Sequence, residues 1–176
     1  ALRLKERLTT LLHTELDLLT VFVAAADDLP DTDERFASCQ LVQVHPESGE
    51  LAWINAGHPP ALVASRDGGE VSTRQLGPTG PLVSSVTSGW TVAHTTLGPD
   101  DLVVTLTDGV LDARRGATEF GFDGVLEVLR GLRKWTPEEA AHECVEAVRR
   151  FADDLHRDDV TCVVLARPLA AVPSGR

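Results

Sequence analysis

Residues 39–55, CQLVQVHPESGELAWIN, hold two short apolar stretches on either side of a connector that contains Pro46 and Gly49. The alternation in CQLVQV predicts a strand over 39–44, and LAWIN predicts its return over 51–55. HPESGE is too short for a parallel crossover, so the pair must be antiparallel. The same pattern recurs immediately downstream. ALVAS at 61–65 and EVSTRQL at 70–76 flank Asp67-Gly68-Gly69, which predicts a second hairpin.

Working outward, residues 77–89 are rich in Gly, Pro, Ser and Thr and read as a loop. WTVAHTTL (90–97) and LVVTLT (102–107) read as two further strands joined at Gly98-Pro99-Asp100, and VTCVVLA (160–166) as a last one. Helical spacing predicts a short helix over 123–134 and a long one over 136–155. The long one has Thr136 as N-cap, Pro137 at the first helical position, Glu139 three residues after the cap, and an apolar face of Ala141, Cys144, Val145, Val148, Ala152 and Leu155. At the other end, residues 2–26 have helical spacing at Leu4, Leu8, Leu11 and Leu12 and are nearly continuously apolar from Leu16 to Ala26; residues 27–35 read as a solvated loop. Strands followed by two helices and one more strand predict an α+β layered domain over residues 1–168, with a frayed, flexible tail at 169–176. No Gly-x-Gly-x-x-Gly or Gly-Lys-Ser phosphate-binding motif occurs.

Composition narrows the function. The 176 residues carry 16 Lys plus Arg against 27 Asp plus Glu, a formal net charge of -11, and the basic residues form no strip, so nucleic acid is not an expected partner. An anionic phosphate substrate would need a metal or local arginines to neutralise this field. Cys39, Cys144 and Cys162 are odd in number and far apart, which suits buried thiols in a reducing compartment better than a disulfide scaffold or a zinc site. No apolar run is long enough to span a membrane, and no secretory signal pattern opens the chain, so the expected location is cytoplasmic, alone or as part of something longer. Trp53, Trp90 and Trp135 are dispersed and read as packing residues. His45, His94, His142 and His156 show no metal-ligand spacing.

The acidic strand ends carry the chemistry. LVVTLT suits a buried strand, yet it stops on Asp108-Gly109, and an ionised carboxylate left bare in an apolar setting costs several kcal/mol or more. Asp108 must therefore be hydrated, paired or bound to a cation, and Gly109 allows close backbone approach and a dihedral other residues resist. By itself the pair reads as an ordinary turn. Asp158 and Asp159, however, immediately precede VTCVVL. If strands 102–107 and 160–166 are antiparallel neighbours, these carboxylates share a rim with Asp108, with one of the two reaching it. Converging carboxylates repel unless a proton or a hard divalent cation such as Mg²⁺ or Mn²⁺ sits between them.

FASCQLVQVHPESGELAWINAGHPPALVA, then LGPTGPLV, then LVVTLTDGVLDAR, then HRDDVTCVVLA form an ordered set that resembles the bacterial branch of the metal-dependent PPM (PP2C-like) serine/threonine phosphatases, the sigma-factor-regulating and sporulation stage II E type. The resemblance runs from about Phe36 to Pro168. It implies an α-β-β-α sandwich of two antiparallel sheets flanked by helices, two Mn²⁺ or Mg²⁺ ions, and hydrolysis of phosphoserine or phosphothreonine on a regulatory protein such as an anti-sigma factor antagonist. Asp108 in TDG, together with Gly109, and Asp158, the first aspartate of DDVT, correspond to the metal motifs on which catalysis rests. Asp159 would support the strand start. Asn55 and His58 in NAGHP fasten a turn or contribute near the cleft, and Arg114 and Arg115 either receive substrate phosphate or are solvated loop residues. A homodimer or a fused sensory domain is compatible with the family.

The sequence departs from the family at one point: no G-D-x-x-G-H-G-like segment, source of the aspartate that bridges the two metals, occurs in these residues. The apolar stretch before Asp27 resembles the helix that normally follows it. Either the chain is part of a longer, active phosphatase, as its start at Ala1-Leu2-Arg3 without methionine suggests, or the parent is a catalytically impaired pseudophosphatase that binds a partner. A structural domain with coincidental acidic strand ends is the third reading.

Overall fold

The computed structural model describes residues 2–13, 17–28, 36–153 and 159–167. In chain order the elements begin with helices α1 (Leu2–Leu11) and α2 (Leu18–Asp27) and strands β1 (Cys39–Val44), β2 (Glu50–Ala56), β3 (Ala61–Asp67) and β4 (Glu70–Leu76). They continue with β5 (Ala93–Thr96), β6 (Leu102–Leu106), a single helical turn α3 (Asp108–Leu111), the two-residue strands β7 (Arg114–Arg115) and β8 (Thr118–Glu119), α4 (Gly121–Gly131), α5 (Pro137–Phe151) and β9 (Cys162–Ala166). The architecture is α+β, with two main antiparallel sheets flanked by helices. The chain forms two compact units: residues 1–45, 50–58 and 77–95, and residues 46–49, 59–76 and 96–176.

In the first unit the sheet order is β1-β2-β5. The opening hairpin pairs antiparallel as expected, Cys39 opposite Ala56 and Val44 opposite Leu51. The stretch 2–26, with helical spacing in its first part and a nearly continuous apolar run after it, forms two helices. Asp17 is the reason: its side chain accepts from the Leu19 and Thr20 amides at 3.1 and 3.0 Å and from the Thr20 hydroxyl at 2.6 Å, which starts a new helix. These bonds, the Thr20 hydroxyl first, hold the Asp17 carboxyl below its ordinary value. Leu4 and Leu8 of α1 and Val21, Phe22 and Ala25 of α2 are buried in one cluster with Ile54 and Trp90. Phe22 and Trp90 meet edge to face at 5.2 Å between ring centroids, and the Trp90 indole donates to the Pro81 carbonyl at 2.7 Å. Trp90 therefore lies outside the strand expected over 90–97, which shortens to Ala93–Thr96. That strand joins the β1-β2 sheet, while β6, immediately after the Gly98-Pro99-Asp100 turn, joins the other.

In the second unit the sheet order is β4-β3-β6-β9. Gly68 and Gly69, with φ of 54° and 94°, close the β3–β4 hairpin in a conformation that fits the right-handed strand twist. Strand β6 pairs with both β3 and β9 antiparallel, so the neighbour relation expected for 102–107 and 160–166 is realised. Leu62 and Ala64, Leu102, Val104 and Leu106 share one face with Val164 and Cys162, and this face packs in one cluster with residues of α4 and α5.

Helix α5 starts where its cap predicts: Thr136 accepts from the Glu139 amide at 3.3 Å, with Pro137 at the first position. Glu139 does not return to the cap; its carboxylate accepts from the Lys134 and Arg133 amides at 3.0 and 2.9 Å, bonds that lower its pKa, the Lys134 contribution being larger. Cys144 and Val148 of the expected face are buried, and Ala140 completes their strict i, i+4 row, while Ala141 and Val145 are only partly buried. Leu155 and the tail at 169–176 lie outside the described residues. Between β6 and α4 the structure has α3 and the β7–β8 hairpin, which replace the expected turn.

Candidate functional site

The candidate site begins at the end of β6. Leu102, Val103, Val104 and Leu106 are buried, so the strand is fixed by its apolar side chains up to Thr107. Thr107 is the N-cap of α3, yet its hydroxyl makes no cap bond. That hydroxyl donates to the Asp159 carbonyl at 2.6 Å and accepts from the Thr161 amide at 3.0 Å. The Thr107 amide in turn donates to the Thr161 carbonyl at 3.1 Å, one step past the last strand pair, Leu106 opposite Cys162. One side chain thus clasps the exit of β6 to the entry of β9. No sequence signal marked Thr107 for this role, because its partners are more than fifty residues away.

Asp108 follows the clasp directly. It is exposed, its Oδ1 accepts from the Gly109 amide at 3.0 Å, and its carbonyl accepts from Asp112 at 2.7 Å. The carboxylate is thus solvent-exposed with one local hydrogen bond, and it is not a bare buried charge. Gly109 is buried inside α3 and is not among the glycines with positive φ, so the expectation of a special dihedral is corrected: its place is set by the helical turn. Asp159 is exposed on the same rim as Asp108, through its own bond to Thr107. Asp158 lies outside the described residues.

Arg114, on β7, is ion-paired with Glu119, and its carbonyl accepts from the Asp153 amide at 3.1 Å. The Arg115 guanidinium lies over the Phe151 ring at 4.7 Å. Both arginines are exposed, and each has a partner within its own unit.

Asn55 and His58 belong to the first unit. Asn55 is fully buried; its amide N–H donates to the Thr79 hydroxyl at 2.9 Å, its carbonyl accepts from the Thr79 amide at 2.8 Å, and Oδ1 accepts from the His58 amide at 3.0 Å. These bonds fasten the NAGH turn. Gly57 makes the turn possible: its φ is 74°, and a Cβ there would stand 2.3 Å from Leu82 Cδ2.

A pair of hard divalent ions needs about six oxygen ligands around each. Among the described residues no group of three or more His, Cys, Asp or Glu could hold a metal ion. Asp108 and Asp159 alone do not suffice for such a centre, and no chemical step is derived through it.

Two antiparallel sheets flanked by helices, with TDG at the end of one strand beside the start of another, define a PP2C-like phosphatase fold. More narrowly, the chain belongs to the stage II sporulation protein E (SpoIIE) family, whose model matches residues 1–168. It is similar to Protein IcfG of Synechocystis sp., 28% identical over 134 residues that make up 75% of this chain and 21% of that protein. The structure resembles the RsbU and RsbW domains of Rv1364c from Mycobacterium tuberculosis, with a TM-score of 0.78 at 21% identity, covering 94% of this chain and 46% of that one. It also resembles the PP2C phosphatase domain with a fragment of the regulatory domain of SpoIIE from Bacillus subtilis, with a TM-score of 0.75 at 20% identity, covering 93% and 48%. The chain therefore spans about a fifth of the curated relative, at 21%, and about half of these solved chains, at 46% and 48%. Among the described residues no helix is long and apolar enough to cross a membrane.

Proposed function

We propose that this segment is a protein-binding regulatory module of the SpoIIE phosphatase family, catalytically impaired by itself, whose partner is a regulatory protein of the anti-sigma factor antagonist kind. The observation that supports it is the state of the acidic rim. Asp108 is exposed with its Oδ1 accepting from the Gly109 amide, and the Thr107 hydroxyl ties the β6–β9 junction at the Asp159 carbonyl. Among the described residues no group of three or more His, Cys, Asp or Glu could hold a metal ion there, which favours recognition over metal-dependent turnover.

A second reading is favoured by the β6–β9 register, which joins TDG to the start of the last strand. In it the parent is a Mn²⁺- or Mg²⁺-dependent phosphatase acting on phosphoserine or phosphothreonine of a regulatory protein. Asp108, Gly109 and Asp158 then belong to the metal site, Asp159 supports it, and Arg114 leaves Glu119 to meet the substrate phosphate. Asn55 and His58 keep the turn-fastening role. A cytoplasmic location, and a homodimer or fused sensory domain, go with either reading.

The test uses the 176-residue chain with a phosphoserine anti-sigma factor antagonist and millimolar manganese. The binding-module reading expects phosphate release equal to the blank, and a complex that persists in EDTA. Manganese-dependent release that Asp108→Asn abolishes would establish the second reading instead, and absence of both binding and release would overturn the first.

A further inference from the structure

The fold brings together two cysteines that the sequence keeps apart. Cys144 lies on the buried row of α5 between Ala140 and Val148, and Cys162 opens β9 on the helix-covered face of the sheet, opposite Leu106. Both belong to one packed cluster and both are free thiols, Cys144 on the buried face of α5 and Cys162 on β9, against which α5 packs. Cys144 is fully buried, whereas Cys162 is only half-buried. Nothing in the acidic-rim chemistry uses either of them.

We propose that Cys144 and Cys162 form a redox-responsive dithiol that peroxide converts to a disulfide joining α5 to β9, with Cys162 attacking and Cys144 resolving. The hydrogen bond from Cys144 lowers the Cys162 thiol from its ordinary value, against the opposing effect of burial. The same bond, then burial, raises Cys144, which keeps that thiol protonated and in reserve. In the first step the Cys162 thiolate attacks one oxygen of hydrogen peroxide; an S–O bond forms, the O–O bond breaks, and the departing hydroxide takes up a proton as water. In the second, the Cys144 sulfur attacks the sulfenic sulfur; an S–S bond forms, the S–O bond breaks, and the oxygen leaves as water with the Cys144 proton. Two thiols lose two electrons, and one peroxide becomes two waters.

The position of the bond gives it a consequence. Cys162 follows directly on Thr161, whose amide and carbonyl are both in the Thr107 clasp, so the disulfide pins the strand entry that carries Asp159 to the helix behind it. Cys39 is a built-in control: it lies in the other unit, and burial pushes its thiol up to about 11, which makes it a poor nucleophile.

The experiment is hydrogen peroxide titration of the folded 176-residue chain, followed by alkylation, intact mass and peptide mapping under non-reducing conditions. The expected result is a monomer lighter by two hydrogens, a linked peptide containing Cys144 and Cys162, alkylated Cys39, and full reversal by dithiothreitol. In Cys144→Ser, Cys162 should instead accumulate as a sulfenic acid that dimedone traps. Alkylated Cys162 at peroxide levels that oxidise Cys39 would overturn the proposal, as would a disulfide made with Cys39 or between chains. The wild-type peptide map decides the matter even if the serine variant fails to fold.

Discussion

Thr107→Val removes a single hydroxyl and keeps the side-chain shape, so it isolates the clasp between β6 and β9. Wild-type Thr107 gives one hydrogen bond to the Asp159 carbonyl at 2.6 Å and takes one from the Thr161 amide at 3.0 Å. A hydrogen bond contributes about 0.5–1.5 kcal/mol net, so two set a range of about 1–3 kcal/mol. Asp159 and Thr161 are exposed, and water can replace the lost partner at both, which places the expected cost near the lower end, about 1–2 kcal/mol. For a chain of this size that corresponds to a melting midpoint lower by roughly 2–8 °C. The ladder bond from the Thr107 amide to the Thr161 carbonyl remains, so β9 stays paired and the loss is local. Urea denaturation gives the stability, and amide exchange gives the location: Thr161 should lose protection while the amides of β6 keep theirs. Thr107→Ser, which restores the hydroxyl, should recover most of the difference. If Thr107→Val unfolds within about 0.3 kcal/mol of wild type with unchanged Thr161 exchange, the clasp does not hold the junction and the reasoning from its geometry fails.

Two further expectations rest on independent features. The Asp17 carboxyl is held below its ordinary value of 3.8 by the bonds that start α2, so it stabilises the fold fully above that value and loses this as pH falls through the lower folded one; an acid titration by circular dichroism should show the loss in wild type and not in Asp17→Ala. Gly57→Ala should destabilise by about 1–3 kcal/mol, since φ is 74° and the new methyl must displace Leu82; a variant that unfolds at the wild-type midpoint would show that the NAGH turn tolerates a side chain.

Several readings were legible in the sequence because their causes are local. Alternation and short connectors required the β1–β2 and β3–β4 hairpins, and the Thr136-Pro137 start of α5 follows from groups within one turn of each other. Asp17 was legible in principle, as an Asp three residues before a Thr at the head of an apolar run, but the apolar pattern on both sides concealed the break. The TDG and DDVT stretches pointed to a shared rim as soon as their strands were taken as neighbours, and β6 and β9 do pair.

The sequence by itself determined the antiparallel hairpins, the family resemblance and the fact that Asp108 could not be a bare buried carboxylate, since each follows from residue order, side-chain period and solvation cost. Only the tertiary structure decided which local bond the Asp108 carboxylate accepts, which residue ties β6 to β9, which sheet receives β5, and that Ala140 and not Ala141 joins Cys144 and Val148 in the buried row of α5. The same is true of the placement of Cys144 and Cys162 in one packed cluster where α5 meets β9. Such facts depend on which distant segments pack against one another, and that choice is made by the burial of whole faces, a sum over many side chains that no local stretch of sequence contains.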